Sequence, residues 1–450
     1  MTAYSMIIGG RAISTNATMS VINPADESVV AMCPKATIQN VDDAVAAARS
    51  AFPGWAATAD AERAAKLHDI ADLIKEHHVE LAELVTREQG KTQSGPGANL
   101  EAGGAETWTR VTAGLSLPEQ TIADDASGKI VMRRKPLGVV ASVTPWNWPL
   151  MIATWHLMPA IRVGCTVVIK PSPYTPLSTL RLVELMNQVL PPGVANVVFT
   201  GSIATGKKIM SGAAQTLKRI TLELGGNDAG IILPGTKIDP LLENLFWGCF
   251  LNAGQTCAAL KRLYVHEGQY EEVVAKFAEY VAKVPVGNGL DPANLIGPVS
   301  NKMQLEKVAS LVEDAKANGA RVVTGGVRPN KPGYFYPLTV IADATDEMRV
   351  VKEEQFGPVI PIIKYSSVDS AIARANALDV GLGGSVWGDD ADKASSYAAR
   401  LECGTAWVNQ HGGLHPLAPF GGVKSSGFGV EFNVDGLKEY TSIQVINIKH

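Results

Sequence analysis

The chain has 450 residues, 46% of them apolar, and a formal net charge of −4. That length allows two or three domains with large cores. The small charge and the lack of a basic patch argue against a nucleic-acid partner. No stretch reaches the roughly 18 apolar residues of a membrane span, and the first residues lack the basic and apolar pattern of a secretory leader, so the cytoplasm is the expected location. The cysteines (Cys33, Cys165, Cys249, Cys257 and Cys403) are odd in number and scattered, with no CxxC pair. This excludes a disulfide framework as the expectation, and no metal site is expected either.

Residues 41–52 and 61–87 carry apolar side chains at three- and four-residue spacing and predict helices, with Asp60 as a candidate cap for the second. His77 and His78 fall on a face rich in Glu and Lys, expected to be solvated. The turn signal at residues 124–128 precedes a half-exposed strand at 129–135. From Gly138 the texture changes: strand 139–143, helix 150–163, strand 166–169, helix 177–189 and strand 195–199 form a βαβ rhythm typical of a parallel sheet. The rhythm returns after Cys257, with a strand at 260–265 and helices at 270–281 and 302–318. The chain therefore reads as two α/β lobes, with Cys257 near their junction, where ligand sites concentrate. The tail, 441–449, alternates like an exposed strand available for pairing within the chain or with another subunit.

Several segments could carry chemistry. Cys257 ends the run Phe250-Leu251-Asn252-Ala253-Gly254-Gln255-Thr256-Cys257, whose small and amide residues leave the backbone open to a substrate. It reads as a nucleophile or as one more small buried hydrophobe. Asn147, bracketed by Trp146, Trp148 and two prolines, offers an amide donor for an oxyanion or a cap for the next helix. Glu223 ends an apolar strand before two glycines and is either a general base with a raised pKa or an exposed turn residue. Lys170, just past a strand's carboxyl end, and the GxxxxG turn at Gly201–Gly206 could face a phosphate or ribose, or be ordinary surface and turn residues.

Taken in order, TPWNWP, KPSP, FTGSIATG, LELGGN, FLNAGQTC, EEQFGPV and PFGGVKSSG resemble the aldehyde dehydrogenase superfamily over essentially the whole chain. The resemblance implies an α/β fold with a Rossmann-like cofactor domain (1–117 and 137–248), an α/β catalytic domain (249–430) and a small β oligomerisation element (118–136 and 431–450), hence a homodimer or homotetramer. It implies that Cys257 is the nucleophile, Asn147 the oxyanion donor with the Cys257 N–H, and Glu223 the base that hydrolyses a thioester. Lys170, with Ser172, matches the adenosine-ribose contact. Gly201, Ser202 and Gly206 match the turn beneath the cofactor. Trp146, Glu354 and Phe356 match its nicotinamide side.

One position departs from the family's pattern. Pro173 stands where many members carry a glutamate that binds the ribose hydroxyls and repels a 2′-phosphate. NAD is the expected cofactor, with NADP also accepted. By the same resemblance Trp148, Ile152, Trp155, Phe250, Thr256, Ala258 and the segment Gln410–His415 line the substrate tunnel. They are mostly apolar, with no arginine for a distal carboxylate or phosphate. Unbranched aliphatic or aromatic aldehydes are expected. A semialdehyde substrate or a CoA-acylating reaction are the alternatives.

Overall fold

The computed structural model describes residues 4–197 and 205–450, and in the second stretch side chains from residue 209 on. A first, five-stranded sheet has the spatial order Arg11–Ile13, Met6–Ile8, Ala195–Val197, Thr166–Lys170 and Val139–Val143. The last three strands are parallel, joined by the helices Pro149–Arg162 and Leu177–Met186. The βαβ expectation therefore holds. Thr166–Lys170 reads as a continuous apolar run because it is buried on both faces. Pro149 opens its helix, where the missing N–H costs nothing, and Gly164 (φ +96°) supplies the left-handed turn into the next strand. Residues 198 and 199 of the expected strand 195–199, and the candidate turn residues Gly201 and Ser202, lie outside the described residues; Gly206 falls in the helix Thr205–Ala214.

The single helix expected at 61–87 is two, Asp60–Glu76 and His78–Gln89. His77 leaves helical geometry (ψ 16°), and its ring bonds Glu80 at 2.8 Å to start the second helix. Asp60 does not cap the first. It sits in the opening turn, and its carboxylate receives two bonds, at 2.6 and 2.8 Å, from the buried Arg162. A planar guanidinium satisfies a carboxylate better than one backbone N–H does.

A seven-stranded sheet organises the second lobe, in the order Arg321–Thr324, Thr339–Ala344, Val359–Tyr365, Leu260–His266, Asp228–Ile232, Gly383–Trp387 and Thr405–Val408. All neighbours are parallel except the first pair. The domain boundary expected after residue 248 needs correction. Asp228–Ile232 is a central strand of this sheet, and Leu245, Phe246 and Phe250 of the helix Leu242–Phe250 pack into its core. Their apolar side chains have no other surface to bury against, so the crossing between lobes falls near Glu223–Gly226.

The tail strand Thr441–Lys449 pairs along its whole length with Gly128–Pro136 of the same chain, and Gln120–Asp125 completes a three-stranded sheet. Ile122, Ile443, Val445 and Ile448 remain exposed on it. Among the described residues no helix is long and apolar enough to cross a membrane.

Candidate active site

The site forms where the carboxyl ends of the first sheet's strands meet the amino ends of the second's. Asn147 follows the strand Val139–Val143, and Cys257 precedes Leu260–His266. Between helix Leu242–Phe250 and Cys257 the backbone turns through three left-handed residues, Asn252 (φ 53°), Ala253 (φ 55°) and Gly254 (φ 71°). That conformation costs a non-glycine residue about 1–2 kcal/mol, so it must be held from outside. The Gln255 side chain holds it, donating to Asn252 O at 2.9 Å and accepting from Ser300 N at 2.9 Å. Gly254 is required for a second reason, since a Cβ there would come within 2.2 Å of Gly357 O.

Asn147 is 2% exposed, and its Nδ2 donates to Gln255 O at 2.9 Å, two residues before Cys257. Its own carbonyl accepts from Asn252 Nδ2 (2.9 Å) and Lys91 Nζ (2.8 Å). Lys91 is fully enclosed. It pairs with Glu101 at 2.6 Å and lies 3.4 Å from the centre of the Trp148 ring. Burial pulls its ammonium down to about 8, against the opposing pull of Glu101. The other oxygen of Glu101 accepts from Leu150 N and Met151 N, at the start of the helix Pro149–Arg162. Asn147 therefore does not cap that helix; Glu101 does, and the Asn147 amide is left for the site.

Glu223 pairs with Gly427 across a short antiparallel ladder that turns its side chain inward. Burial pushes its carboxyl up to about 9, with a further push from Glu431, and Oε1 is buried with no hydrogen-bond partner among the described residues. Glu431 enters through an isolated bridge to Phe420. It lies 3.0 Å from His156 Nε2, whose Nδ1 meets Ser142 Oγ at 2.8 Å.

On the other side of Cys257, Lys261 Nζ donates to Cys257 O (2.5 Å), Gly226 O (3.2 Å) and Glu354 Oε1 (2.7 Å). Glu354 lies against the Gly225-Gly226 pair; a Cβ at Gly225 would meet its Oε2 at 2.3 Å. Burial pushes the Cys257 thiol up to about 12. Lys261 pulls it down, while Glu223, Glu354 and Asp228 push it further up.

Lys170 ends the strand Thr166–Lys170, and burial lowers its amine to about 8. Ser172 is buried beside it and accepts from Tyr174 N at 3.3 Å. Thr144, hydrogen-bonded through its N–H to Lys170 O at 3.1 Å, keeps a buried hydroxyl without a partner among the described residues. Trp146 and Phe356 meet edge to face, 5.2 Å apart, across the two lobes. These groups converge on one edge.

Of the expected tunnel residues, Ala258 and Trp155 join Cys257 in an apolar cluster with Trp108, Phe420, Phe432 and Leu414. The ring centroids of Trp155 and Phe432 are 4.8 Å apart. Ile152 and Trp148 pack together next to it, and Trp148 Nε1 donates to Thr256 Oγ1 at 3.1 Å. Phe250 does not line the tunnel. It is fully buried in the second lobe's core, stacked on Phe277 and tilted against Phe246, because its helix turns that face to the sheet. His415 is exposed and accepts from Leu417 N at 3.2 Å. Lys91, Lys261, Glu431 and His156 were not singled out by sequence; each is one ordinary polar residue whose partner lies far along the chain.

The chain matches the model of the aldehyde dehydrogenase family over residues 12–446. It is 37% identical to human aldehyde dehydrogenase 1A1, with 95% of this chain and 91% of that one aligned. Among solved structures, the NAD+ complex of an aldehyde dehydrogenase from Bacillus cereus superimposes with a TM-score of 0.95 at 35% identity, covering 100% of this chain and 97% of the other. An NADP-dependent enzyme from E. coli superimposes with a TM-score of 0.95 at 32% identity, covering 100% and 98%.

Proposed function

The chain belongs to the aldehyde dehydrogenase family and oxidises an aldehyde to the acid with NAD(P), and from that premise we propose that the reaction runs through a thioester on Cys257. Cys257 releases its thiol proton to solvent and attacks the aldehyde carbon as the thiolate; the S–C bond forms as the C=O π pair moves to oxygen, giving a thiohemiacetal. The negative charge that develops on the aldehyde oxygen is met by the Asn147 amide and the Cys257 N–H. Lys170, Ser172, Trp146, Glu354 and Phe356 would hold NAD(P), which would supply the hydride acceptor needed for the thiohemiacetal to become the thioester. Glu223 then takes a proton from water, whose oxygen displaces the Cys257 sulfur and releases the acid.

One observation carries the hydrolytic reading: the Glu223 carboxyl is buried near Cys257, and its Oε1 has no hydrogen-bond partner among the described residues. Once ionised, a carboxylate with a raised pKa is a strong proton acceptor. A CoA-acylating enzyme would have no use for it. The edge formed by Lys170, Ser172, Thr144, Trp146 and Phe356 fits a dinucleotide, since the Thr144 hydroxyl, buried and without a partner among the described residues, gains from a polar ligand atom. Glu354, tethered to Lys261, is assigned to the nicotinamide half. Relatives that bind NAD+ and that depend on NADP support acceptance of both cofactors here, in keeping with Pro173.

The apolar wall of Trp108, Trp155, Phe420, Phe432 and Leu414 supports unbranched aliphatic and aromatic aldehydes as substrates. The exposed apolar residues of the tail sheet support a homodimer or homotetramer, to be read by light scattering, and the unpaired state of all five cysteines supports a reducing, cytoplasmic location. NAD(P)H absorbance on mixing enzyme, cofactor and hexanal without CoA tests the function, with Cys257→Ala as control. An unchanged rate in that variant, or a preference for succinic semialdehyde over hexanal and benzaldehyde, overturns the reading.

A further inference from the structure

Outside the reacting groups, one buried pair of titratable residues has no part in the steps above. Asp228 opens the central strand Asp228–Ile232 and is 2% exposed. Neither carboxylate oxygen has a hydrogen bond among the described residues. Facing it is His411, whose Nε2, also without a hydrogen bond among the described residues, stands 3.4 Å from Asp228 Oδ2, both side chains being fully enclosed. His411 Nδ1 lies 2.9 Å from Ser385 Oγ, and that oxygen already accepts from Trp387 Nε1 at 2.9 Å. The Ser385 hydroxyl still has its own proton to give to His411 Nδ1, and in the tautomer that receives it the imidazole N–H sits on Nε2, facing Asp228.

His411 belongs to the segment that leaves the edge strand Thr405–Val408 and runs back toward the nucleophile. Its ring packs on Trp407, 4.8 Å between centroids, and Trp407 Nε1 reaches forward to Gly413 O at 2.8 Å. The histidine is inserted deeply enough that a Cβ at Gly248 would lie 3.0 Å from its own Cβ. Between these two anchors Gly412 turns through φ +76°, next to Ala258 O. Leu414 follows directly and packs in the apolar cluster around Cys257.

We propose that Asp228 and His411 form a latch that holds the 409–415 segment against the nucleophile, fixing Leu414 as a wall of the substrate site and so setting which aldehydes fit. The proposal rests on the reading that aldehydes reach Cys257 along the aromatic wall. His411 and Asp228 touch no reacting atom and are positioning residues. Loss of the imidazole leaves a buried carboxylate without its partner, and the segment is freed at the point where it bends toward the site. Small aldehydes, which do not reach Leu414, are indifferent to this; longer or ring-bearing ones are not.

The test compares acetaldehyde, hexanal and benzaldehyde as substrates of His411→Ala, His411→Gln and Leu414→Ala. His411→Ala and Leu414→Ala are expected to raise KM for hexanal and benzaldehyde about tenfold relative to acetaldehyde, with kcat at saturation and KM for NAD unchanged. His411→Gln keeps an N–H donor toward Asp228 and is expected to restore most of the loss. An unchanged ratio of hexanal to acetaldehyde KM in His411→Ala overturns the latch, as does a kcat loss equal for all three aldehydes. If His411→Ala does not fold, Leu414→Ala decides by the same ratio. A wild-type enzyme inactive on every aldehyde refutes the proposed function instead, whereas an active wild type with unshifted variants refutes the latch alone.

Discussion

The amide nitrogen of Asn147 and the carbonyl oxygen of Gln255 are 2.9 Å apart, and this bond joins the two lobes beside Cys257. One N–H of the amide is committed to it, which orients the other. With its carbonyl fixed by Lys91 and Asn252 as well, the donor needs no reorganisation when charge develops on the aldehyde oxygen. Asn147→Ala is expected to lower kcat by about 100- to 1000-fold, the usual cost of one oxyanion donor. Single-turnover kinetics with NAD should place the loss before thioester formation.

Glu223 illustrates a conflict between stability and activity. Its folded-state pKa, pushed up to about 9, lies above the ordinary carboxyl value of 4.5. Between those values the folded state holds a proton that the unfolded state has released, so stability falls as pH rises from about 4.5 to 9. Glu223→Gln is expected to abolish turnover while leaving a burst of one NADH per site. It should also raise stability at pH 8 by about 1–3 kcal/mol by removing an unsatisfied buried acid. Thermal unfolding at pH 5 and pH 8 checks this: the variant's gain should appear at pH 8 and shrink at pH 5.

Glu431 adds to the upward push on Glu223. In Glu431→Gln that push is gone, Glu223 releases its proton at lower pH, and the rising limb of kcat against pH should move about one pH unit toward acid. A limb that stays in place would show that Glu431 acts only on the packing of its bridge to Phe420.

The charge of Lys261 favours the Cys257 thiolate, against three carboxylates that oppose it. Lys261→Met should leave the free enzyme's Cys257 about tenfold less reactive toward iodoacetamide at pH 8. Asp228→Asn should make it more reactive. Alkylation followed by intact-mass measurement over pH 7–10 reports both directions.

Pro173→Glu would restore an acidic group beside Lys170 at the cofactor edge. The expected outcome is a loss of about tenfold or more in kcat/KM for NADP relative to NAD, since about 1.4 kcal/mol of repulsion suffices. Steady-state kinetics with each cofactor measure it.

The parallel strands around Thr166–Lys170 were legible because they are short, apolar and bounded by turn residues, and local pattern decides such elements. The three positions proposed to carry the chemistry, Cys257, Asn147 and Glu223, stand out in sequence only through the motifs around them. Their supports do not. Lys91 meets Asn147 across 56 positions and Lys261 meets Glu354 across 93, and nothing local marks a lysine as buried. The lobe boundary was misplaced for a related reason: Asp228–Ile232 is as apolar as the strands before it, and only its pairing with Leu260–His266 assigns it to the second sheet.

The left-handed turn before Cys257 has one more implication. Because a side chain at Gly254 would collide with the carbonyl of Gly357, two segments a hundred positions apart in sequence share a single volume. Attempts to retarget this enzyme by transplanting the loop around Phe356 from another protein would disturb the nucleophile itself. Remodelling is safer from the opposite wall, at Leu414 and Trp108, where side chains rather than backbone meet.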